Sequence, residues 1–441
     1  MPDKKEAAVI NKGRLLFPAL LCAALGALYG QTAAARPVDD LLFKIAVYGP
    51  SDDIFIWWGH AALIVENTRW NYSRVFDWGI FSYPSDDFLS DFLRGQISYK
   101  STVDSLNMQM YIDEDRDITV YTLDLGAEGK EHILRYVENN VLPENCYYDY
   151  HEFRDNCSTR IRDILDMGTG GQFREWAAKT PGRFSIRQHL RRFTWFRPAP
   201  DWFLDFLMGQ DLDAPTTLWD EMFLPVEVGR GISDFTYTDS IGAEHKLVRS
   251  VELLNASKKR PPVLHAPPRR WPGDLLLGLL FAVLTAGLRG LAKKKPLAGR
   301  IAWGVFQSVL GLCLGITGCV LVYAWFFMKN DYIQQNINLL FLNPLLLAAV
   351  PLGILSAANK LKAVRPEKWL RILWTYTAAA GIFTQVLRVL PVFFQQNQST
   401  AALVLPAAVV LSFGAEGPAR RAKKTKETVG APAPTGDAPT G

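Results

Sequence analysis

Residues 147–168 read YYDYHEFRDNCSTRIRDILDMG, and the reading of this stretch decides the fold around it. Asp155 and Asn156 are both residues that cap helices, and Ile161, Ile164 and Leu165 follow at helical spacing before Gly168 ends the run. The stretch is expected as a short helix carrying Cys157 in its first turn. Unpaired N–H groups and the positive end of the dipole stabilise a thiolate there. The N–H of Cys157 is also a candidate oxyanion donor.

A thiol nucleophile needs a base, and the upstream sequence offers one. Residues 54–67 read IFIWWGHAALIVEN, β-branched and aromatic with partial alternation, and are expected as a strand. His60 sits inside it between Gly59 and two alanines, which leaves room for a group to approach the imidazole. Residues 74–81, RVFDWGIF, have the same strand character and carry Asp77. A short turn around Asn71 makes the two strands a hairpin. His60 as base, with a polar third group to hold its ring, completes an activated nucleophile. Each residue also has a plain structural reading. His60 can be a hydrogen-bonded strand histidine, Asp77 a turn or surface carboxylate, and Cys157 half of a disulfide with Cys146. His151 and His189 are rival partners for the cysteine.

Working outward, the chain of 441 residues has two unlike parts. Its mean hydropathy of +0.03 is too apolar for a disordered chain and too polar for an all-membrane protein. Residues 1–35 hold basic residues, an apolar run and small alanines, the pattern of a secretory signal peptide or signal anchor. Residues 36–257 are polar and mixed, expected as an exported α+β domain, and residues 258–273 form a basic, Pro-rich linker. Residues 274–416 hold five apolar runs, at 274–292, 301–328, 338–358, 370–394 and 400–416, each reaching or approaching the ~20 residues a transmembrane helix needs. An all-α bundle of about five membrane helices is expected. Residues 417–441 form a basic tail of disordered composition. Lysine and arginine fill the first and third gaps between runs and the tail, whereas KNDYIQQNIN and QQNQST are nearly uncharged. The positive-inside rule then puts the basic gaps in the cytoplasm and residues 36–257 outside. Within the runs, Arg388 lies close to an exported end and is expected to reach the headgroups. Net charge is +4 without a basic stripe, so no nucleic-acid partner is expected. The five cysteines lack the CxxC pairs of a structural zinc site, and neither metal nor cofactor is expected.

The order of these features resembles a known family. A strand histidine, a second strand, then a cysteine opening a helix is the order of the circularly permuted papain-like thiol enzymes, including the lecithin retinol acyltransferase group. A longer set of segments is similar to the Lnb-type lipoprotein N-acyltransferases: WGHAALIVEN (58–67), VFDWGIFSYPSDDFLSDFLRGQISY (75–99), YYDYHEFRDNCSTRIRDIL (147–165), LDFLMGQDLDAPTTLWDEMFLPVEV (204–228) and NINLLFLNPL (336–345). The likeness covers roughly residues 40–360. It implies an antiparallel sheet packed on the Cys-bearing helix, facing the periplasm and joined to inner-membrane helices. It implies transfer of an acyl chain from a membrane phospholipid to the α-amine of diacylglyceryl lipoproteins. Cys157 takes the nucleophile's place and His60 the base's. The family often has asparagine where this chain has Asp77, and the resemblance implies Asp77 as the third member, orienting His60. Asp213 and the MFLP segment (222–225) also match, without an evident chemical role. The alternatives are a cell-wall cysteine peptidase or amidase, a phospholipase on the same Cys–His core, or a non-enzymatic membrane receptor.

Overall fold

The computed structural model describes residues 38–81, 94–95, 98–104, 111–112, 114–239, 241–295, 297–360 and 362–414. The expected signal segment and the basic tail lie outside the described residues. The chain divides into two compact units. One takes residues up to 201 together with 212–268, and the other takes residues 202–211 together with 269 onward.

In chain order the elements up to residue 255 are β1 (Leu41–Tyr48), β2 (His60–Asn67), β3 (Tyr72–Phe81), β4 (Ser98–Val103), β5 (Ile118–Leu123), α1 (Ala127–Asn140), β6 (Tyr147–Asp149), α2 (Cys157–Gly168), α3 (Gln172–Lys179), α4 (Ile186–Thr194), α5 (Pro198–Leu207), α6 (Leu218–Glu221), α7 (Pro225–Asp234), β7 (Thr236–Thr238), β8 (Glu244–Lys246) and β9 (Val248–Asn255). Seven strands form one antiparallel sheet in the order β6-β4-β3-β2-β1-β5-β9. β1 and β2 lie at its centre because their sequences are apolar on both faces. Side chains alternate between the faces with period two. Phe43, Ile45 and Val47 of β1 join Ala61, Leu63 and Val65 of β2 in one core with Ile161, Ile164 and Leu165 of α2. Ala46, Tyr48, Ala62, Ile64, Ile118 and Val120 form the core on the opposite face. Each large apolar side chain buried this way contributes about 1.5–3 kcal/mol. The β2–β3 hairpin turns through residues 68–71, where Asn71 takes a positive φ of 48°.

The Pro-rich stretch after β9 is held along this unit. Asp115 accepts backbone N–H groups from Lys258 and Lys259, and Arg260 pairs with Asp52 at 2.8 Å. The backbones of Arg192 and Leu264 are bonded through Leu264 N–H, and the Arg192 side chain returns a bond to the Leu264 carbonyl.

The second unit is built on α8 (Trp271–Lys294), α9 (Ala298–Phe327), α10 (Ala349–Ala358), α11 (Pro366–Leu387) and α12 (Gln398–Ser412). Among the described residues, three segments are long and apolar enough to cross a membrane: Trp271–Lys294, Ala298–Phe327 and Ile337–Ala358. The third is broken into short 3₁₀ turns before α10. α9 presents Gly304, Gly311, Gly315 and Gly318 to that segment. A Cβ on Gly318 would stand 2.4 Å from the Asn343 carbonyl carbon, so only glycine permits this approach. A buried chain of amides also runs through the unit. Asn336 donates to the carbonyls of Phe206, Leu207 and Met208; Gln395 donates to Asn336 and Met208; Asn397 donates to Asn338; and Gln385 donates to Asn397. Arg388 donates to Gln385 at 3.1 Å and lies over the Phe394 ring.

Candidate active site

The local sequence shapes α2 as the capping residues require. Asn156, in extended backbone, caps the helix: its Oδ1 accepts the N–H groups of Ser158 and Thr159, both at 2.9 Å. The Thr159 hydroxyl accepts the Asn156 N–H at 2.7 Å and closes a capping box. Cys157 is therefore the first helical residue, where a thiolate feels the positive end of the dipole.

His60 opens β2 next to Gly59, whose φ of +89° turns the chain into the strand. The register pairs Ala62 with Asp77, so those two share a face, and His60, two residues before Ala62, points to the same side. The diagonal brings His60 Nε2 to 2.8 Å from Asp77 Oδ1, with Asp77 only 2% exposed. Continuing the register puts Gly79 opposite His60. A Cβ on Gly79 would lie 2.4 Å from His60 Cε1 and 3.0 Å from Nδ1, so the imidazole occupies the space a side chain would fill. The ring also stacks on Tyr48 at 6.0 Å between centroids.

While Asp77 holds Nε2, the Cys157 thiol interacts with the same imidazole by charge and hydrogen bonding, and its sulfur lies 3.9 Å from the Ser158 hydroxyl. Burial pushes the His60 pKa down, but the Asp77 carboxylate and the Cys157 thiolate outweigh it, and the imidazolium is favoured well above its ordinary range. Burial pushes the thiol up, while the His60 charge, its hydrogen bond and the Ala61 backbone N–H pull it below its usual value. Each charge thus favours the other, imidazolium with thiolate. Tyr99, Tyr148 and Tyr150 surround this charge. Burial first, and the thiolate next, raise all three phenols, which stay protonated. Tyr99 and Tyr150 stack at 4.1 Å.

The structure thus brings together Cys157, His60 and Asp77, the three residues expected from sequence. It does not make the alternative disulfide: Cys146 and Cys157 are both free, and the Cys146 thiol donates to the Pro143 carbonyl at 3.5 Å. The rival histidines are engaged elsewhere. His151 Nδ1 accepts the Phe153 N–H, and His189 is fully buried on Glu221 at 2.8 Å. Among the tryptophans, Trp78 is buried core, its indole donating to Asn140 at 2.6 Å, whereas Trp70 is 68% exposed. Asp213, without an assigned role from sequence, is a buried partner of Arg187 at 2.9 Å.

Sequence reasoning missed two features. Gly79 was readable in principle, since a four-residue turn at 68–71 fixes which residue faces His60. The second is a buried ionic cluster: Glu221 binds His189 and Arg230, and Glu227 binds Arg183, Arg192 and Arg230, all at 2.6–2.8 Å. Its members come from α4, α6, α7 and the loop before α4, and no local pattern announces their convergence.

Two family comparisons match. Residues 42–192 match the Lnb N-terminal periplasmic domain, and residues 272–415 match the Lnb transmembrane domain. No curated protein and no solved structure matches the chain.

Proposed function

The chain belongs to the Lnb family, with a periplasmic N-terminal domain and a transmembrane domain, and from that premise we propose that it is a thiol-dependent lipoprotein N-acyltransferase of the inner membrane. The observation that carries this reading is the buried Cys157–His60–Asp77 chain at a helix N-terminus, on a protein that also holds membrane-length apolar helices. A nucleophile activated in this way suits acyl transfer, and the attached helices keep it beside lipid substrates at high effective concentration.

In the proposed cycle the Cys157 thiolate attacks an ester carbonyl of a phospholipid. A C–S bond forms, the ester C–O bond breaks, and the His60 imidazolium gives its proton to the departing lysophospholipid oxygen. The α-amine of a diacylglyceryl-cysteine then attacks the thioester carbonyl. His60 takes the amine's proton, an amide forms, and the thiolate leaves in its starting state. Asp77 holds the ring through both halves. The Cys157 N–H at the open end of α2 is the nearest candidate for an oxyanion donor. The neutral phenols of Tyr99, Tyr148 and Tyr150 help keep water from the thioester, which would otherwise be lost to hydrolysis.

On this reading the first unit is a circularly permuted papain-like fold, His60 preceding Cys157 in the chain. The second crosses the membrane five times, α11 and α12 completing the count. α12 spans only about 22 Å at 1.5 Å per residue. The basic gaps would then face the cytoplasm.

Mass spectrometry of lipoprotein N-termini tests the proposal. Cells relying on this chain should carry N-acylated lipoproteins, and Cys157→Ala should abolish the modification and the acyl adduct on residue 157. Lipoproteins that stay N-acylated with the Cys157→Ala protein as sole source would refute it. Lysophospholipid and free fatty acid without N-acylation would identify a phospholipase, and cleavage of wall peptides a peptidase or amidase.

A further inference from the structure

Serine, threonine, aspartate and asparagine all cap helices well, so capping alone does not call for an amide before Cys157. The Asn156 amide does more than cap. While its oxygen accepts two N–H groups, its nitrogen donates to the Glu152 carbonyl at 2.7 Å and to the Phe223 carbonyl at 3.0 Å. Both donors and both acceptor sites of the side chain are used, and the residue is only 4% exposed. No other capping side chain offers that combination.

Phe223 is the second residue of the MFLP segment and is only 4% exposed. Its ring meets Phe153 edge-on at 5.2 Å and His189 edge-on at 6.2 Å. Two residues earlier, Glu221 is fully buried and accepts the N–H groups of Arg183 and Phe184 besides its bonds to His189 and Arg230. The ionic cluster of Glu221 and Glu227 thus fixes the carbonyl to which the cap of the cysteine helix is tied.

We infer that Asn156 is a positioning residue for Cys157: by joining the first turn of α2 to the Phe223 and Glu152 carbonyls, its amide holds the sulfur at the imidazole of His60. This also gives the MFLP segment and its ionic cluster a role, as the anchor for that tie. The charged and titratable groups that face the sulfur are His60 and Asp77 from the strands, with Tyr99, Tyr148 and Tyr150 around it. The inference rests on Cys157 being the nucleophile of the proposed reaction.

The test is alkylation of Cys157 by iodoacetamide in the detergent-solubilised full chain, followed by peptide mass spectrometry across pH. Asn156→Asp keeps the cap but sets a carboxylate against two carbonyls. Asn156→Ser keeps a neutral cap and loses both donations. Both should fold, with thermal midpoints within a few degrees of the natural chain. Both should move the alkylation midpoint up, by about one pH unit in the aspartate variant, as the sulfur loses its place at the imidazolium. Acyl transfer should fall by about tenfold or more through kcat. Wild-type midpoints in both variants would overturn the inference and leave Asn156 a helix cap. If Asn156→Asp does not fold, the serine variant alone decides. Alkylation reads the thiol whether or not the protein transfers acyl chains, so a failure of the acyltransferase proposal is separable from a failure of this one.

Discussion

Replacing Gly79 by alanine adds one methyl group, and the structure predicts what it meets. The new carbon would stand 2.4 Å from His60 Cε1, 3.0 Å from Nδ1 and 3.4 Å from Asp77 Oδ1. Carbon contacts below 3.0 Å are essentially never seen, and ordinary contact begins at 3.4 Å. The imidazole must retreat by about 1 Å. It is held on one side by the 2.8 Å bond to Asp77 and on the other by the thiol, so a movement of that size breaks at least one of them. The backbone at residue 79 does not require glycine, since its φ is not positive, and the strand should persist. The overpacking should cost about 1–3 kcal/mol of stability. A misplacement of about 1 Å at a reacting group can cost about 10²-fold in rate, and we expect a loss of that order in acyl transfer. Cys157 should also alkylate more slowly near neutral pH, because a thiol parted from its imidazolium returns towards its ordinary range. Gly126→Ala is the control, with nothing within 4 Å of the added carbon. Wild-type rate and alkylation in Gly79→Ala would refute the placement of His60 over Gly79.

Two further predictions concern pH. Asp77→Asn removes the carboxylate that, with the thiolate, raises the His60 pKa. A raised histidine contributes stability that is complete below its unfolded pKa and is lost as pH rises through the folded value. The basic limb of the pH–rate profile should therefore move to lower pH in the variant, with a drop of about tenfold near neutrality; an unmoved limb would count against the pairing. Glu227 has the opposite sign: burial pushes its pKa up, but Arg192 and Arg230 bring it down from 4.5 to about 2. Its contribution is present above 4.5 and fades as pH falls towards about 2. The thermal-midpoint gap between the natural chain and Glu227→Gln should be widest at neutral pH and close across that window. A gap independent of pH would be evidence against the buried pair.

The chemistry of this protein was legible wherever it depended on local pattern. Asp155 or Asn156 followed by a helical run and Gly168 marked α2, because capping and termination are local events; the structure makes Asn156 the cap. The β-branched, partly alternating segments 54–67 and 74–81 marked the hairpin, which puts His60 and Asp77 on one face, but residues 54–56 form a 3₁₀ turn and the strand begins only at His60. The switch from mixed to apolar composition near residue 274 marked the long helices of the second unit, since a bilayer demands long apolar runs that no soluble core requires, but it did not show that residues 202–211 join that unit. Gly79 was half legible, needing the register as well as the residue type.

The order of residues could name Cys157, His60 and Asp77 as candidates, but not how groups far apart in the chain come into contact. The sulfur of Cys157 meets a histidine 97 positions earlier because α2 packs on β2 and β3. The tie from Asn156 to Phe223 spans 67 positions, and the Glu221–Glu227 cluster behind it gathers arginines from three separate stretches. Sequence alone determined which residues can act, since ionisation, capping and strand pairing are properties of short segments. Only tertiary structure decided which of them act together, because hydrogen bonds and charge pairs need their atoms within about 3 Å, and no spacing rule sets that distance across a fold.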